Sequence, residues 1–367
     1  MKIVIDAREL RTSSGRYVER LLHYLQIIDK VNEYVVLIKP IDFDGWNPTN
    51  PNFTKEECPV KEFTFAEQVG LGRQIRKTKA DLVHFPFPQQ PVLYRGKTVT
   101  TFHDLTTLRF TNPDKNLVVF RLKQKIFEWV MKRAASKSED LIVPSEFVKK
   151  ELVGFFGVKE QKINVIYEAS EAINQALEPL PELLNKQFIM YVGRPTPHKN
   201  LERLIDAFAL LKSQHPQLQL VLAGKEDANY RRVRESAAKR GVGGIVFTDF
   251  VSEGQLRWLY ETCEAYVFPS LSEGFGLPGL EAMMHGAPVV SSNATCLPEI
   301  YGEAAHYFDP TDVQAISDAI SEVLTDKNLR QKLIIAGKEQ AKKYSWQTMA
   351  EKTLKLYNQI LQGNKVS

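Results

Sequence analysis

Residues 265–281 read AYVFPSLSEGFGLPGLE. The apolar, aromatic run 265–269 predicts a strand, and Pro278 suits a first helical position, where a missing N–H costs nothing. A strand passing through a glycine-rich turn into a helix is one unit of an open α/β sheet, whose ligands bind beyond the carboxyl ends of the strands. Gly274 and Gly276 carry no side chain, so backbone N–H groups can face a ligand. The helix start adds a dipole end worth roughly 0.3–1 kcal/mol toward an anion. Glu273 and Glu281 would repel a phosphate, so their chemistry points to hydroxyl groups: Glu281 to those of a ribose, Glu273 to those of a sugar. Glutamates in a first helical turn also have a plain structural use there. GFGLPG matches the GxGxxG pattern of dinucleotide sites, but that fingerprint wants an acidic residue about twenty positions on. The next strand, 288–291, instead closes on Ser291, Ser292 and Asn293, and the turn falls late in its unit. NAD and FAD are disfavoured.

The same alternation extends outward over the whole chain. Strands are predicted at 2–6, 34–39, 81–85, 98–102, 140–144 and 162–167, and again at 188–192, 218–223, 245–248, 265–269, 288–291 and 305–308. Amphipathic helical segments lie between them. Ser252, Glu253, Gly254 and Gln255 form a capping box for one of these. The pattern predicts two parallel sheets with helices on both faces, Rossmann-like and doubly wound. Residues 1–170 form the expected first domain and 187–344 the second, with 171–186 as an aperiodic, proline-bearing linker. A last helix within 345–367 follows a second unit that is already complete, so it is expected to pack back across the domain boundary.

At 367 residues the chain exceeds the usual single core. No apolar run suits a signal peptide or a membrane span. Cys58, Cys263 and Cys296 are scattered and odd in number, as in a reducing compartment. The expected location is the cytoplasm. The net charge of +4 arises wholly before residue 187, where 28 Lys and Arg face 24 Asp and Glu. Residues 109–137 alone hold eight basic and two acidic side chains. That is too modest for nucleic acid, but suits an anionic substrate or peripheral contact with an anionic membrane at its inner face.

Three further segments end predicted strands. In YVGRPTPHKNLERLIDAF, strand 188–192 runs into Gly193, Arg194 and Lys199, with Asn200 as a helix N-cap. Arg194 offers a fork to phosphate oxygens and Lys199 a point charge. In VTTFHDLTTLRF, strand 98–102 delivers His103 and Asp104; His103 suits a sugar hydroxyl or acid–base work. In ARELRTSSGRYVERLL, the small residues Ser13, Ser14 and Gly15 precede a helix and suit backbone approach to a phosphate. The DxD pair Asp42 and Asp44 falls in the Pro/Asn-rich stretch 40–59, which reads as a surface excursion, so metal ligation is disfavoured. No GxxxxGK[ST] phosphate loop occurs.

Together, HDLTTLRF, VPSEFVKKEL, YVGRPTPHKNLERLIDAF, LVLAGK, FTDFVSEGQLRWLYETCEAYVFPSLSEGFGLPGLEAM and GAPVVSSNATCLPE resemble the family 4 glycosyltransferases, over nearly the whole chain. The similarity is strongest to the bacterial branch that builds surface polysaccharides such as lipopolysaccharide, many of whose members are mannosyltransferases using GDP-mannose. The resemblance implies the GT-B fold, with two domains facing across an interdomain cleft, and transfer with retention from a nucleoside-diphosphate sugar to a glycan or lipid-linked acceptor. It implies no cofactor and no required metal. Glu273 and Glu281 match the family's E-x7-E motif, the first toward the donor sugar and the second toward the ribose. Arg194 and Lys199 match its diphosphate pair, and backbone N–H groups of Phe275, Gly276 and Leu277 its phosphate-facing turn. His103 matches a histidine near the sugar's far hydroxyls, and the stretch after it, with Asp104 and Arg109, the acceptor side. A nucleotide-sugar epimerase on the same fold and a non-catalytic sugar-binding protein are the alternatives. No oligomeric state is read from the sequence.

Two residues depart from the family pattern. Ser13 stands where a phosphate-approaching glycine is common. Gly279 replaces a larger apolar residue at a helix cost of about 1 kcal/mol that the sequence leaves unexplained.

Overall fold

The computed structural model describes residues 1–12, 15–62, 64–110 and 117–363. It divides into two compact units. In the first, β1 (Lys2–Asp6), β2 (Glu33–Ile38), β3 (Phe53–Glu57), β4 (Leu82–Phe85), β5 (Thr98–Thr101), β6 (Asp140–Val143) and β7 (Ile163–Val165) form a sheet in the order β3-β2-β1-β4-β5-β6-β7. In the second, β8 (Phe188–Val192), β9 (Gln219–Ala223), β10 (Ile245–Asp249), β11 (Ala265–Phe268), β12 (Val289–Ser292) and β13 (Ala305–Phe308) run β10-β9-β8-β11-β12-β13. Every pairing is parallel. The central strands are buried nearly end to end, as in β8 (FIMYV) and β11 (AYVF), because a parallel sheet covered on both faces has no polar side to alternate with.

Strand β3 corrects the reading of 40–59 as a surface excursion. Its sequence, FTKEE, is mostly polar, yet as the edge of the sheet it pairs only with β2, from Tyr34–Phe53 to Ile38–Glu57. An edge strand tolerates exposed charge that a central strand would not. Asp42 and Asp44 lie just before it in the 3-10 helix Pro40–Gly45.

Each sheet has one place where the strand order turns back on itself, between β1 and β4 and between β8 and β11. Crevices at the carboxyl ends of such strands are where open α/β sheets hold ligands. The chain passes from the first unit to the second at Glu168–Ala169, and residues 169–186 belong to the second unit, with the 3-10 turn Pro181–Leu183. At Ser345 it rejoins the first. The helix Trp346–Gln362 there buries Trp346, Met349, Ala350, Thr353, Leu356 and Tyr357, a stripe at helical spacing, and packs on the helix Arg16–Ile28.

Candidate active site

The loops that follow β8 and β11, neighbours at the second sheet's switch point, are tied together at three levels. The Leu271 N–H donates to the His198 carbonyl at 2.7 Å. The Asn200 side-chain amide donates to the carbonyls of Pro269 at 3.0 Å and Pro310 at 2.7 Å. Lys199 Nζ meets Glu273 Oε1 at 2.5 Å, in an ion pair largely sheltered from solvent. Asn200 therefore sits at the start of the helix Leu201–Gln214 without capping it: its backbone is left-handed (φ 61°) and its side chain is committed to the loops. Lys199 and Glu273, separated by 74 positions, each compensate the other's charge.

Arg194 is exposed, and its Nε donates to Asp227 Oδ2 at 2.9 Å. Asp227 caps the helix Ala228–Lys239, accepting from the N–H groups of Asn229 and Tyr230. Its partial burial raises the carboxyl, but the Tyr230 N–H, Arg194 and the Asn229 N–H outweigh burial and hold it below the usual aspartate range. The Tyr230 hydroxyl lies 2.9 Å from the carbonyls of both Gly193 and Ala223, fixing the turn out of β8.

The glycine-rich turn after β11 is braced from below by Tyr301. The helix begins at Leu277, one residue before Pro278, with Gly276 at its N-cap in a left-handed conformation (φ 97°). The Tyr301 hydroxyl donates to the Gly276 carbonyl at 2.6 Å. A Cβ on Gly279 would collide with that same Tyr301 hydroxyl, which explains the glycine that helix propensity argues against. The Glu273 N–H donates to Thr295 Oγ1 at 3.2 Å, and the Cys296 thiol donates to the Glu273 carbonyl at 3.3 Å. Glu281 is buried on the helix, with the Tyr260 hydroxyl donating at 3.4 Å. Phe275 is buried edge-on against Tyr344.

In the first unit, His103 follows β5 with both ring nitrogens facing acceptors. Nδ1 lies 2.7 Å from Glu168 Oε1 and Nε2 lies 3.0 Å from the Pro86 carbonyl. Only an imidazolium can donate in both directions. Burial disfavours that charge, but Glu168, by charge and hydrogen bond, then Asp104 and the Pro86 carbonyl, outweigh it and raise the ring above the usual histidine value. Tyr17 stands edge-on to this ring at 4.8 Å. Behind it, His84 is wholly buried between Thr101 and Tyr357, and its value falls to about 3, through burial first and the nearby His103 second. Asp104 Oδ1 accepts from the Thr106 N–H at 2.7 Å and so opens the short helix Thr106–Arg109, which Arg109 closes.

Gly15 precedes the helix Arg16–Ile28, where a Cβ would strike the carbonyls of Glu9 and Leu10. Ser13 lies outside the described residues. At the end of β1, Arg8 is buried and bidentate to Asp6 (2.8 and 2.7 Å), and it also meets Glu67 at 2.7 Å. Among the described residues, no three or more His, Cys, Asp or Glu side chains converge as metal ligands.

Sequence reasoning missed Asp227, Glu168, Thr295 and Tyr301. Asp227 had a legible signal, an aspartate directly before a helical pattern. Glu168 had another, a carboxylate just past a strand's carboxyl end. Nothing local marks Thr295 or Tyr301, which act on the turn from more than twenty positions away.

Two parallel-sheet units, each with its own switch point, are the architecture of the GT-B fold. Residues 47–169 match the family described as Glycosyltransferase Family 4, and residues 173–340 the Glycosyl transferases group 1. The O-antigen chain mannosyltransferase B of Escherichia coli is 32% identical over 276 residues, covering 71% of this chain and 70% of that one. The chain belongs to the family 4 glycosyltransferases. A serotype-specific mannosyltransferase, WbdA, of Escherichia coli is 30% identical over 284 residues; the match takes in 73% of this chain but only 34% of that longer protein. Among solved structures, sucrose-phosphate synthase from Thermosynechococcus elongatus superposes with a TM-score of 0.78 at 19% identity, over 99% of this chain and 100% of that one. Anabaena HepE in complex with UDP and glucose gives 0.72 at 18% identity, over 98% of this chain and 99% of that one. Both structural likenesses concern the fold alone.

Proposed function

We propose that the protein moves a sugar, with mannose from GDP-mannose favoured, onto a hydroxyl of a glycan or lipid-linked acceptor in cell-surface polysaccharide assembly. Transfer proceeds with retention and without a required metal. The observation that carries this reading is the Lys199–Glu273 pair, which bridges the loops of β8 and β11 beside the helix start at Leu277. On binding a nucleoside-diphosphate sugar, Lys199 turns to the diphosphate and Glu273 is left to accept hydrogen bonds from the sugar. Arg194, released from Asp227, joins Lys199 on the phosphate oxygens, and Glu281 receives the ribose hydroxyls.

In the reaction, the acceptor oxygen bonds to the anomeric carbon as the bond to the diphosphate breaks. The acceptor's proton passes to a leaving phosphate oxygen on the same face. Lys199, Arg194 and the helix start stabilise the charge that grows there. His103, held as an imidazolium by Glu168 and the Pro86 carbonyl, is unavailable as a base. The mannosyltransferases among the relatives support the choice of sugar.

The test is a panel of nucleoside-diphosphate sugars, with stabilisation and donor turnover measured with and without glycan acceptors in the presence of chelator. Acceptor-dependent release of GDP from GDP-mannose, with an α-linked product, is the expected result. Conversion of the donor sugar without any acceptor would mark an epimerase, and no turnover or binding of any donor a non-catalytic protein.

A further inference from the structure

The helix Leu117–Lys137 carries six basic residues and one acidic residue, Glu128. Leu122, Ile126 and Trp129 are 61%, 54% and 54% exposed. At 100° per residue they share one face, which Arg133 and Lys137 continue toward the helix end. Three large apolar side chains in solvent on successive turns of one helix are not ordinary scatter. At Arg133 and Lys137 this face meets a cavity of about 250 Å³, lined also by Arg95 and Tyr94 among others, with Glu139 as its one acid. A second hollow of about 400 Å³ adjoins it through Tyr94, Arg95 and Gly96, adding Arg76, Lys79 and Leu93, and Leu93 is 71% exposed. Thr98 and Glu139 place the first cavity at the amino ends of β5 and β6, the opposite end of those strands from His103.

Three cations face one carboxylate in this cavity. Arg95 and Arg133 enter no ion pair among the described residues, and Lys137 points to the Val92 carbonyl. Desolvation, then Arg133 and Arg95, push the Lys137 ammonium below its ordinary value. Like charges crowded around a hollow are relieved by an anion, and arginine forks match phosphate oxygens. An amphipathic helix with tryptophan and leucine on one side and lysine and arginine along its flanks is built to lie in a headgroup layer.

We propose that this surface docks the first unit on an anionic phospholipid bilayer, with a lipid phosphate in the Arg95–Arg133–Lys137 cavity and Leu122, Ile126 and Trp129 entering the headgroup–acyl boundary. The docking stands apart from the transfer chemistry, since it needs neither donor nor acceptor.

The test is flotation of the full chain with vesicles of phosphatidylcholine alone and of equimolar phosphatidylcholine and phosphatidylglycerol. The protein is expected to float with the anionic vesicles only and to be released by high salt. On binding, Trp129 emission should shift to shorter wavelength, and Trp129→Phe should lose that shift. An R95Q/R133Q/K137Q variant should lose roughly a hundredfold in partition while keeping its melting temperature and donor turnover. Failure to float with anionic vesicles overturns the proposal, as does a triple variant that floats like the parent. Saturable binding of inorganic phosphate without vesicle binding would instead make the cavity a site for a soluble anion. A concentration-dependent dimer abolished by Trp129→Ala would give the apolar face to a second copy.

Discussion

The carboxyl ends of the two central strand pairs handle charge in opposite ways. After β1, Arg8, Asp6 and Glu67 are sealed at 1%, 7% and 2% exposure, with Arg8 held bidentate by Asp6. Across β8 and β11, Lys199 and Glu273 remain 19% and 13% exposed, and Arg194 is open at 70%. The first arrangement has no route to exchange partners, because each ion would be stranded out of water. The second stays within reach of water, so a ligand that replaces one partner can compensate the charge left behind. Buried charge at the first unit's switch point braces a loop, whereas charge at the second remains partly open to solvent.

The largest expected effect tests the sealed cluster. Arg8→Met leaves two buried carboxylates unpaired and should cost about 3–5 kcal/mol. Calorimetry should show an early transition confined to the first unit, and an unchanged melting profile would break the contrast. In the second unit the same surgery should spare the fold and remove the chemistry. Lys199→Ala and Glu273→Ala should each lower transfer by roughly 10²–10³-fold, in the range seen for a lost transition-state contact, with melting temperature nearly unmoved. Substantial unfolding in either would show that this pair, too, is a brace.

Next comes the turn itself. Gly279→Ala forces the Tyr301 hydroxyl off the Gly276 carbonyl and should destabilise the second unit by about 1–3 kcal/mol. A Tyr301→Leu/Gly279→Ala double variant, which removes both the hydroxyl and the ring carbon that the new methyl group would meet, should recover part of that loss in a melting assay.

The smallest effect lies within the first unit, where two histidines titrate in opposite directions. His103 is raised, so its pairing with Glu168 contributes fully below about pH 6.5, the usual histidine value, and fades as pH climbs through the raised value. His84 is depressed to about 3, so its neutral ring contributes fully above the usual histidine range and loses ground as pH falls toward 3. Glu168→Gln should move the alkaline limb to lower pH and leave the acid limb alone. Ring NMR titration, assigned with His103→Gln and His84→Gln, reads both; a His103 ring titrating at its ordinary value in the parent would remove the imidazolium.

Most of the sheet framework was legible because parallel strands buried on both faces announce themselves as short apolar runs, as at β1, β8 and β11. β3 was not, since FTKEE carries the polarity of a loop and becomes a strand only through its neighbour. At the candidate site, residue types at strand ends singled out Arg194, Lys199, Glu273, Glu281 and His103. What they touch was not readable. The partners Glu168 and Asp227 lie 65 and 33 positions from His103 and Arg194, and only the fold brings them near. Asn200 shows the converse: a residue type favoured for capping is diverted to two carbonyls that local sequence cannot see. Gly279, a blemish by helix propensity, makes sense once Tyr301 is seen to occupy the space a methyl group would need.

The homecoming of the final helix has a temporal consequence. Tyr357 completes the surroundings of His84, Asn358 reaches Asn32 at 3.3 Å, and the Ile360 carbonyl receives Lys97 at 3.2 Å. The unit that leaves the ribosome first thus lacks one of its packing partners until the helix Trp346–Gln362 has been made. A premature stop near Ser345 therefore damages the beginning of the protein rather than its end.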